Sequence, residues 1–316
     1  MVTDSVVVPQ SPLAVGLVGA GAWARATYGP TFGHDRDARL VAVWSRSPSN
    51  ARRLARAYDA EAFHDVDEMF RRVDAVVFAV PPSVQARLAI RAATYGRPLL
   101  LEKPIADTVT HAERLAAAVS SAGVATQLAL SWRYADVVAD FIGTSGSLSP
   151  IAARALFVSG QVLRDSNSWR GQAGPLLDYG PHVIDLLEAV LGQVVVISPS
   201  RPTTHKQWVS LLLEHMTGAT SEVALSSCIP LRRYRAEVEV FGHYGSSRID
   251  CASCLTPQTF AKMRADFTIT AQSGLPHQLD VRHGVHLQRI IDACRRAVSD
   301  GERIELVDQH RGEQGC

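Results

Sequence analysis

Strand-like and helix-like segments alternate through the first 130 residues, which leaves few folds open to this part of the chain. The strand-like runs are continuously apolar, as expected for strands buried on both faces of a parallel sheet. They are Leu13–Gly19, Leu40–Trp44, Ala75–Val80, Pro98–Leu101 and Val124–Leu130, and the helical patterns between them are Ser49–Tyr58, Ser83–Tyr95 and Asp107–Ser121. The alternation predicts a doubly wound α/β domain over residues 1–131.

After residue 131 the strand-like stretches are longer and few helices interrupt them. The stretch Arg235–Phe241 alternates polar and apolar residues, which is typical of a sheet with one solvated face. Helices are expected at Tyr134–Ile142, ending in a Gly- and Ser-rich segment, and at His182–Leu191. The other predicted strands are Ile151–Ser159, Val194–Ile197, Trp208–Glu214 and Glu222–Ser226. Residues 132–316 are therefore predicted to form an α+β domain on an open, largely antiparallel sheet.

The composition argues against several classes of protein. The chain has 316 residues with 32 basic against 31 acidic side chains, a balance that argues against nucleic-acid or membrane-surface binding. No apolar run reaches the roughly 20 residues that span a bilayer. Residues 1–12 contain Asp4 and no basic residue, so no signal peptide is expected. Five thinly spread cysteines do not suggest a disulfide framework, and a cytoplasmic location is expected.

Two clusters could bind a metal, and neither has the ligands that a metal site needs. Cys251 and Cys254 form a single CxxC with no second pair nearby. His277, His283 and His286 lack a carboxylate or cysteine at helical ligand spacing. No metal is expected.

A glycine-rich turn follows the first strand. Gly19-Ala20-Gly21-Ala22-Trp23-Ala24 is a GxGxxA motif, in which the first glycine permits a tight turn and the second lets backbone approach a pyrophosphate. The following helix offers its free N–H groups to phosphate oxygens. We expect Gly19, Gly21, Ala22 and Trp23 to contact a dinucleotide, with Val80 and Pro81 after the fourth strand. A purely structural glycine turn is the alternative.

The end of the second strand bears on the choice between NAD and NADP. NAD-binding domains usually have an acidic residue there, whereas this chain has Ser45-Arg46-Ser47. An arginine between two hydroxyls suits a 2′-phosphate, which favours NADP. Alternatively, Arg46 is a solvated loop residue and the pocket accepts either cofactor.

Glu102-Lys103-Pro104 ends the fifth strand, where ligands of open α/β sheets bind. Only three of the 32 basic residues are lysines. Because a lysine can lose its proton in a protein and an arginine cannot, the choice of Lys103 favours a catalytic role over a leftover surface lysine. Glu102 and Lys103 are expected beside the cofactor.

Asp178 and His182 are four residues apart, a spacing that places two side chains on one helical face. Pro181 offers a second arrangement, in which the helix begins there and Asp178 lies at its entrance. In both cases a carboxylate could orient an imidazole suited to proton transfer. A buried structural histidine with Asp178 as a cap is the alternative.

These motifs together resemble the Gfo/Idh/MocA family of NAD(P)-dependent oxidoreductases. GAGAWA, AVPPS and EKPIA follow the first, fourth and fifth strands, and the segment from Gly174 to Asp185 is similar to the family's GGxxxDxGxHxxD. The resemblance implies a Rossmann domain followed by an open-sheet domain that covers the nicotinamide. It also implies catalytic roles for Lys103, Asp178 and His182, and sugars, cyclitols or related polyols as substrates.

The sequence therefore predicts an NADP-preferring oxidoreductase, with NAD possible, that moves a hydride between nicotinamide and a carbonyl or secondary alcohol. A homo-oligomer, dimer or tetramer, is expected. The chain departs from the family at Gln85, where a histidine is frequent, and in ending shortly after Glu305. Both departures motivate an alternative: a non-catalytic dinucleotide sensor or regulatory protein of the same fold.

Overall fold

The computed structural model describes residues 11–164, 166, 169–200 and 208–306. Its first sheet has six parallel strands in the order β3-β2-β1-β4-β5-β6. All five predicted strands of this half are present, and the structure adds the short β3, which the sequence analysis did not name. The strands are β1 (Leu13–Val18), β2 (Ala38–Trp44), β3 (Glu61–Phe63), β4 (Ala75–Phe78), β5 (Leu99–Leu101) and β6 (Thr126–Leu128).

Helices cover both faces of this sheet, which is why its strands are almost completely buried. The first helix, α1 (22–32), includes a π-helical stretch at Ala24–Tyr28. It is followed by α2 (Pro48–Arg56), α3 (Val66–Arg72), α4 (Pro82–Thr94) and α5 (Val109–Ala122). Gly123 ends α5 in the left-handed conformation. The fold class is confirmed for this half of the chain.

The second sheet has seven strands in the order β12-β11-β7-β10-β9-β8-β13. Every neighbouring pair is antiparallel except β7 and β10, so the largely antiparallel sheet is confirmed. Its strands are β7 (Pro150–Val158), β8 (Val194–Pro199), β9 (Trp208–His215), β10 (Thr220–Ser226), β11 (Arg235–Gly242), β12 (Gly245–Asp250) and β13 (Ile304–Glu305).

Both predicted helix positions in the second half need correction. Instead of Tyr134–Ile142, the chain forms a 3₁₀ turn at Ser131–Tyr134 and then α6 (Asp136–Ser147), which continues through the Gly- and Ser-rich segment. After the short α7 (Gln161–Arg164), the predicted His182–Leu191 is the end of α8 (Trp169–Leu191). The non-helical φ of +77° at Gly174 divides α8 into two parts.

Two long helices near the C-terminal end were not predicted, α9 (Pro257–Ser273) and α10 (Val281–Asp300). Both pack against the first sheet. On α9, the carbonyl oxygen of Met263 accepts a hydrogen bond of 3.0 Å from Gln127 of β6. On α10, a Cβ on Gly284 would lie 2.7 Å from Cγ2 of Ile105, which shows how closely the helix approaches. These helices tie the two halves together, and the boundary at residue 131 stays a prediction.

None of the helices in the described ranges is both long and apolar enough to cross a membrane.

Candidate active site

The glycine-rich turn after β1 is shaped by two glycines with different requirements. Gly19 has a φ of +122°, and a Cβ there would lie 2.3 Å from the carbonyl oxygen of Ala79. Its N–H donates to the carbonyl of Trp44, which ties the turn to β2. By contrast, a Cβ on Gly21 would meet no atom within 4 Å. The open space beside Gly21, next to the start of α1, fits the approach of a pyrophosphate.

The π-helical stretch of α1 connects this turn to the Glu102-Lys103 segment. Glu102 is buried, and its Oε1 accepts hydrogen bonds from the indole N–H of Trp23 and from the hydroxyl of Tyr28, the latter at 2.7 Å. Burial, followed by the negative charge of Glu102, raises the pKa of Tyr28 well above its ordinary value. Glu102 thus faces α1 rather than the Lys103 side chain, and it joins the nucleotide turn to the end of β5.

Gln85 holds the same segment from α4. Its side-chain amide donates to the carbonyls of Glu102, Pro104 and Ile105 at 2.7, 3.3 and 3.2 Å, and its Oε1 accepts from the Glu102 N–H at 2.9 Å. Gln85 is fully buried. Gln85 therefore supports the loop that carries Lys103, because its amide satisfies the backbone there.

Lys103 follows β5 and reaches across to the second half of the chain. Its Nζ donates to the backbone carbonyl of Asp178 at 2.6 Å and to Oδ1 of Asp178 at 3.1 Å. The Lys103–Pro104 peptide bond is cis. The lysine side chain is only 11% exposed, so most of its charge is compensated within the site.

Asp178 lies inside α8 because the helical break occurs at Gly174, four residues earlier. Pro181 does not begin the helix, so the arrangement with Asp178 and His182 on one helical face is the observed one. Oδ1 of Asp178 also accepts from Nε of Arg170 at 3.2 Å. Arg170 was not predicted as a site residue; its guanidinium lies over the ring of Trp169, 4.7 Å from the centroid.

His182 is held by packing rather than by a carboxylate. Its ring stacks on Trp132 with centroids 4.9 Å apart, and its buried Nδ1 has no hydrogen-bond partner among the described residues. The expectation that Asp178 orients His182 is wrong, because Oδ1 of Asp178 binds Lys103 and Arg170. Burial, and then the charges of Lys103 and Arg170, lower the pKa of His182 well below 6.5. The imidazole is therefore neutral at pH 7.

Lys103, Asp178 and His182 line a single cavity of about 780 Å³ between the two sheets. Glu102 and Trp23 of the nucleotide-binding half border it as well. Much of the rest of its wall is aromatic or basic, formed by Tyr28, Trp132, Phe157, Tyr179, Tyr234, Phe260, Arg170, Arg232, Arg233 and Arg235. The arrangement combines an ammonium donor and a neutral imidazole, which suits proton transfer to or from a bound hydroxyl or carbonyl.

The remaining predicted cofactor residues lie at the other strand ends of the first sheet. Ser47 caps α2 by accepting from the Asn50 N–H, and Arg46 before it is exposed. Val80 lies 3.1 Å, at its Cγ1, from the point that a Cβ of Gly19 would occupy, and Pro81 caps α4. None of these four lines the cavity.

The residues considered for metal binding have other partners. His283 pairs with Asp185, His286 with Glu188 and His277 with Asp266. Among the residues that the structure describes, no group of three or more His, Cys, Asp or Glu side chains could hold a metal ion. Cys251 and Cys254 are buried.

Comparison with known proteins finds a family similar to the first half of the chain. The model of the Gfo/Idh/MocA oxidoreductase family, with its NAD-binding Rossmann fold, matches residues 13–130. Over residues 13–130 the chain is similar to Gfo/Idh/MocA oxidoreductases. The match spans the Rossmann sheet and ends near the start of the second half.

One relative and one solved structure extend the likeness to the second half. Among Gfo/Idh/MocA relatives, the chain is 24% identical to a dTDP-3,4-didehydro-2,6-dideoxy-α-D-glucose 3-reductase of Saccharopolyspora spinosa, over 94% of this chain and 90% of that protein. It is 24% identical to glucose-6-phosphate 3-dehydrogenase of Bacillus subtilis, over 55% of this chain and only 52% of that protein. The solved structure of GenD2 from gentamicin A biosynthesis, in complex with NAD, has a TM-score of 0.83 at 19% identity, covering 95% and 98% of the two chains.

Proposed function

We propose that this protein is an NADP(H)-preferring oxidoreductase that acts on a sugar, cyclitol or related polyol. The observation that carries the proposal is the meeting of Lys103, Asp178 and His182 in one cavity that also borders the nucleotide-binding half. The activities of two relatives, a sugar-phosphate dehydrogenase and a nucleotide-sugar reductase, support the same reaction class.

The cofactor supplies the hydride chemistry when it is bound, and the residues of this chain supply orientation and proton transfer. Gly19, Gly21, Ala22 and Trp23 would hold its pyrophosphate and the adjacent ribose. Val80 and Pro81 would border the dinucleotide on the neighbouring strand. Glu102 would keep α1 and the Lys103 loop in register through its bonds to Trp23 and Tyr28.

The charge states assign the proton roles. In the oxidative direction, the neutral imidazole of His182 accepts the hydroxyl proton, while the ammonium of Lys103 stabilises the negative charge that develops on the substrate oxygen. In the reductive direction the same groups would act in reverse: the proton passes from the imidazole of His182 to the carbonyl oxygen, while Lys103 donates a hydrogen bond to that oxygen. Asp178 keeps Nζ of Lys103 in place through the bond from Nζ to its Oδ1.

A titration followed by a substrate screen separates the enzyme from the sensor alternative. Binding of NADPH and NADH is measured by fluorescence, and the loaded protein is then tested with ketoses, sugars and cyclitols for a change in nicotinamide absorbance. We expect tight dinucleotide binding and turnover of at least one polyol. Binding without any turnover across the panel would support the sensor instead.

The preference for NADP rests on Arg46, which is exposed at the end of β2 with no described partner that would occupy its guanidinium. Arg46→Ala should weaken NADPH binding by about tenfold, the loss of one charge-assisted contact, and leave NADH binding nearly unchanged. Arg56→Ala, which removes an exposed arginine from the far end of α2, is the matched control. Equal losses for both cofactors would remove Arg46 from the 2′-phosphate site.

The same proposal includes a homo-oligomer, dimer or tetramer, in the cytoplasm. Equilibrium sedimentation of the purified full chain tests the oligomeric state, and a monomer at micromolar concentration would exclude it.

A further inference from the structure

One wall of the active-site cavity is basic, and the proposed hydride transfer does not use it. The wall comes from the segment between β10 and β11 and from the first residue of β11: Arg232, Arg233 and Tyr234 line the cavity together with Arg235. The same cavity contains Lys103 and Arg170 from other elements. Five cationic side chains therefore face three carboxylates, Glu102, Asp178 and Asp250.

The ion pairs formed by these five cationic side chains show which of them lack a carboxylate partner. Lys103 and Arg170 both bind Oδ1 of Asp178. Arg235 is paired with Glu237 through a contact of 2.7 Å. Neither Arg232 nor Arg233 forms an ion pair with any residue in the described ranges. Both side chains are exposed to solvent at the cavity, so an incoming ligand can reach two guanidinium groups that are not held in an ion pair by any described residue.

The segment that carries these arginines is fixed in place before any ligand binds. The Ile229 N–H donates to the carbonyl of Ser159 at 2.8 Å, and the approach is so close that a Cβ on Gly160 would lie 2.9 Å from the Ile229 oxygen. At the other end, the hydroxyl of Tyr234 donates to the carbonyl of Ala252 at 3.1 Å. A preorganised segment binds a ligand without the entropic cost of ordering a loop.

Stacked rings strengthen this attachment. The ring of Tyr234 stacks on Phe157, with centroids 5.5 Å apart, and Phe157 stacks on Tyr179 at 3.9 Å. Tyr179 directly follows Asp178 in α8. The arginine segment is therefore joined through three rings to the helix that carries Asp178 and His182.

We propose that the substrate carries a phosphoryl group, bound by Arg232 and Arg233 while its polyol carbon lies beside Lys103 and His182. This inference rests on the proposed oxidoreductase activity and names the substrate class more closely. Two guanidinium groups match the two charges of a phosphate, and each can donate a pair of parallel hydrogen bonds to phosphate oxygens. A sugar or cyclitol monophosphate and a nucleoside-diphosphate sugar both present this chemistry.

Kinetics on matched substrate pairs test the proposal. The NADP⁺-loaded enzyme is assayed with glucose and glucose 6-phosphate, with myo-inositol and inositol 1-phosphate, and with UDP-glucose. We expect a phosphorylated compound to exceed its unphosphorylated partner in kcat/KM by about 100-fold, the value of two charge-assisted contacts. The monophosphate and UDP-glucose arms distinguish the two sources of the phosphoryl group. Equal kcat/KM values within every pair would overturn the proposal.

A double variant identifies the arginines as the cause. Arg232→Gln/Arg233→Gln should remove the preference for the phosphorylated compound, mainly through a rise in KM, and should leave NADPH affinity unchanged. Arg295→Gln/Arg296→Gln, an exposed pair on α10 that does not line the cavity, is the matched control and should keep the preference. A preference that survives in the first variant would contradict the assignment of these two residues.

Calorimetry separates failure of this inference from failure of the proposed activity. The NADP⁺-loaded protein is titrated with each phosphorylated compound whether or not turnover is seen. Binding that Arg232→Gln/Arg233→Gln abolishes, without turnover, would support the phosphoryl site while refuting the oxidoreductase. Turnover of unphosphorylated polyols, with no binding of any phosphorylated compound, would refute the phosphoryl site while supporting the oxidoreductase.

Discussion

His182 lies in a position where its charge state follows directly from its surroundings. The ring is 8% exposed, stacked on Trp132 and close enough to Lys103 and Arg170 for their charges to disfavour a further positive charge. A base for hydroxyl oxidation has to be unprotonated at the working pH. Burial beside two cations provides that state without a hydrogen-bonded carboxylate.

The lowered pKa of His182 predicts how activity and stability depend on pH. Because its folded-state pKa is well below 6.5, the ring stays neutral while a free histidine would already be protonated. We expect kcat/KM for oxidation to remain flat as the pH falls through 6.5, with the acid limb well below that value. An acid limb centred near 6.5 would contradict the account. The same linkage makes unfolding easier as the pH falls below 6.5, because only the unfolded ring then takes up a proton.

Gln85 shows how a single buried amide supports the catalytic loop. Gln85→Leu keeps the approximate volume but leaves the Glu102 N–H and the loop carbonyls without their side-chain partner. Each buried polar group left unsatisfied costs about 1–3 kcal/mol, so we expect about 3 kcal/mol of lost stability. Urea unfolding measures it, with Gln258→Leu, an exposed glutamine on α9, as the control. Equal unfolding midpoints for the two variants would show that Gln85 is not a support.

At the scale of single residues, the sequence predicted which side chains form the site better than it predicted the hydrogen bonds between them. Residue type and motif predicted Lys103, Asp178 and His182, and all three line the same cavity. They did not reveal Arg170 as a partner of Asp178, because its contact depends on the break in α8 at Gly174. Nor could they show that Gln85 faces the Glu102 backbone, since that contact joins positions 17 residues apart.

Among the structural elements, the turn between β1 and α1 contains one glycine that is needed for folding and another that is expected to be needed for cofactor binding. Gly19→Ala would strain a φ of +122° and press a methyl group against backbone, so we expect it to lower stability. Gly21→Ala meets no protein atom within 4 Å. It should leave the unfolding midpoint unchanged and weaken NADPH binding by at least about tenfold, since the methyl group would occupy the space for the pyrophosphate.

Unfolding curves and fluorescence titrations of the two variants measure these effects side by side. Wild-type NADPH affinity in Gly21→Ala would place the pyrophosphate elsewhere and remove this turn from the cofactor site.

Strands and helices could be predicted where the buried residues are uniformly apolar, and were missed where the buried residues include polar side chains and glycine. The strands of the first sheet are short, continuously apolar and bounded by glycine or proline, so their positions could be predicted. The helices α9 and α10 were missed. Their buried faces include threonine, glutamine and glycine, for example Thr270, Gln288 and Gly284, which weakens an apolar pattern even though Val281 and Val285 have helical spacing.

Across the whole molecule, the site depends on the two sheets being held in one arrangement. Lys103 comes from the first sheet and Asp178 and His182 from the helix over the second, and they meet only because the two halves are fixed together. Arg264 of α9 binds Asp35 at 2.6 Å and donates to the Thr31 carbonyl, which links α9 to the end of α1. The sequence could predict two domains, but their relative placement comes from contacts between distant segments.

The most direct test of this account is the turnover of Lys103→Met, His182→Asn and the double variant, measured with a polyol identified in the screen. Each single change should lower kcat by about 100-fold or more, with NADPH affinity kept. The double variant should lose little more than the worse single variant, because both residues serve one substrate oxygen. Lys262→Met, an exposed lysine of α9 outside the cavity, should turn over like the wild type. Wild-type kcat in either single variant, or losses that multiply in the double variant, would contradict a shared site.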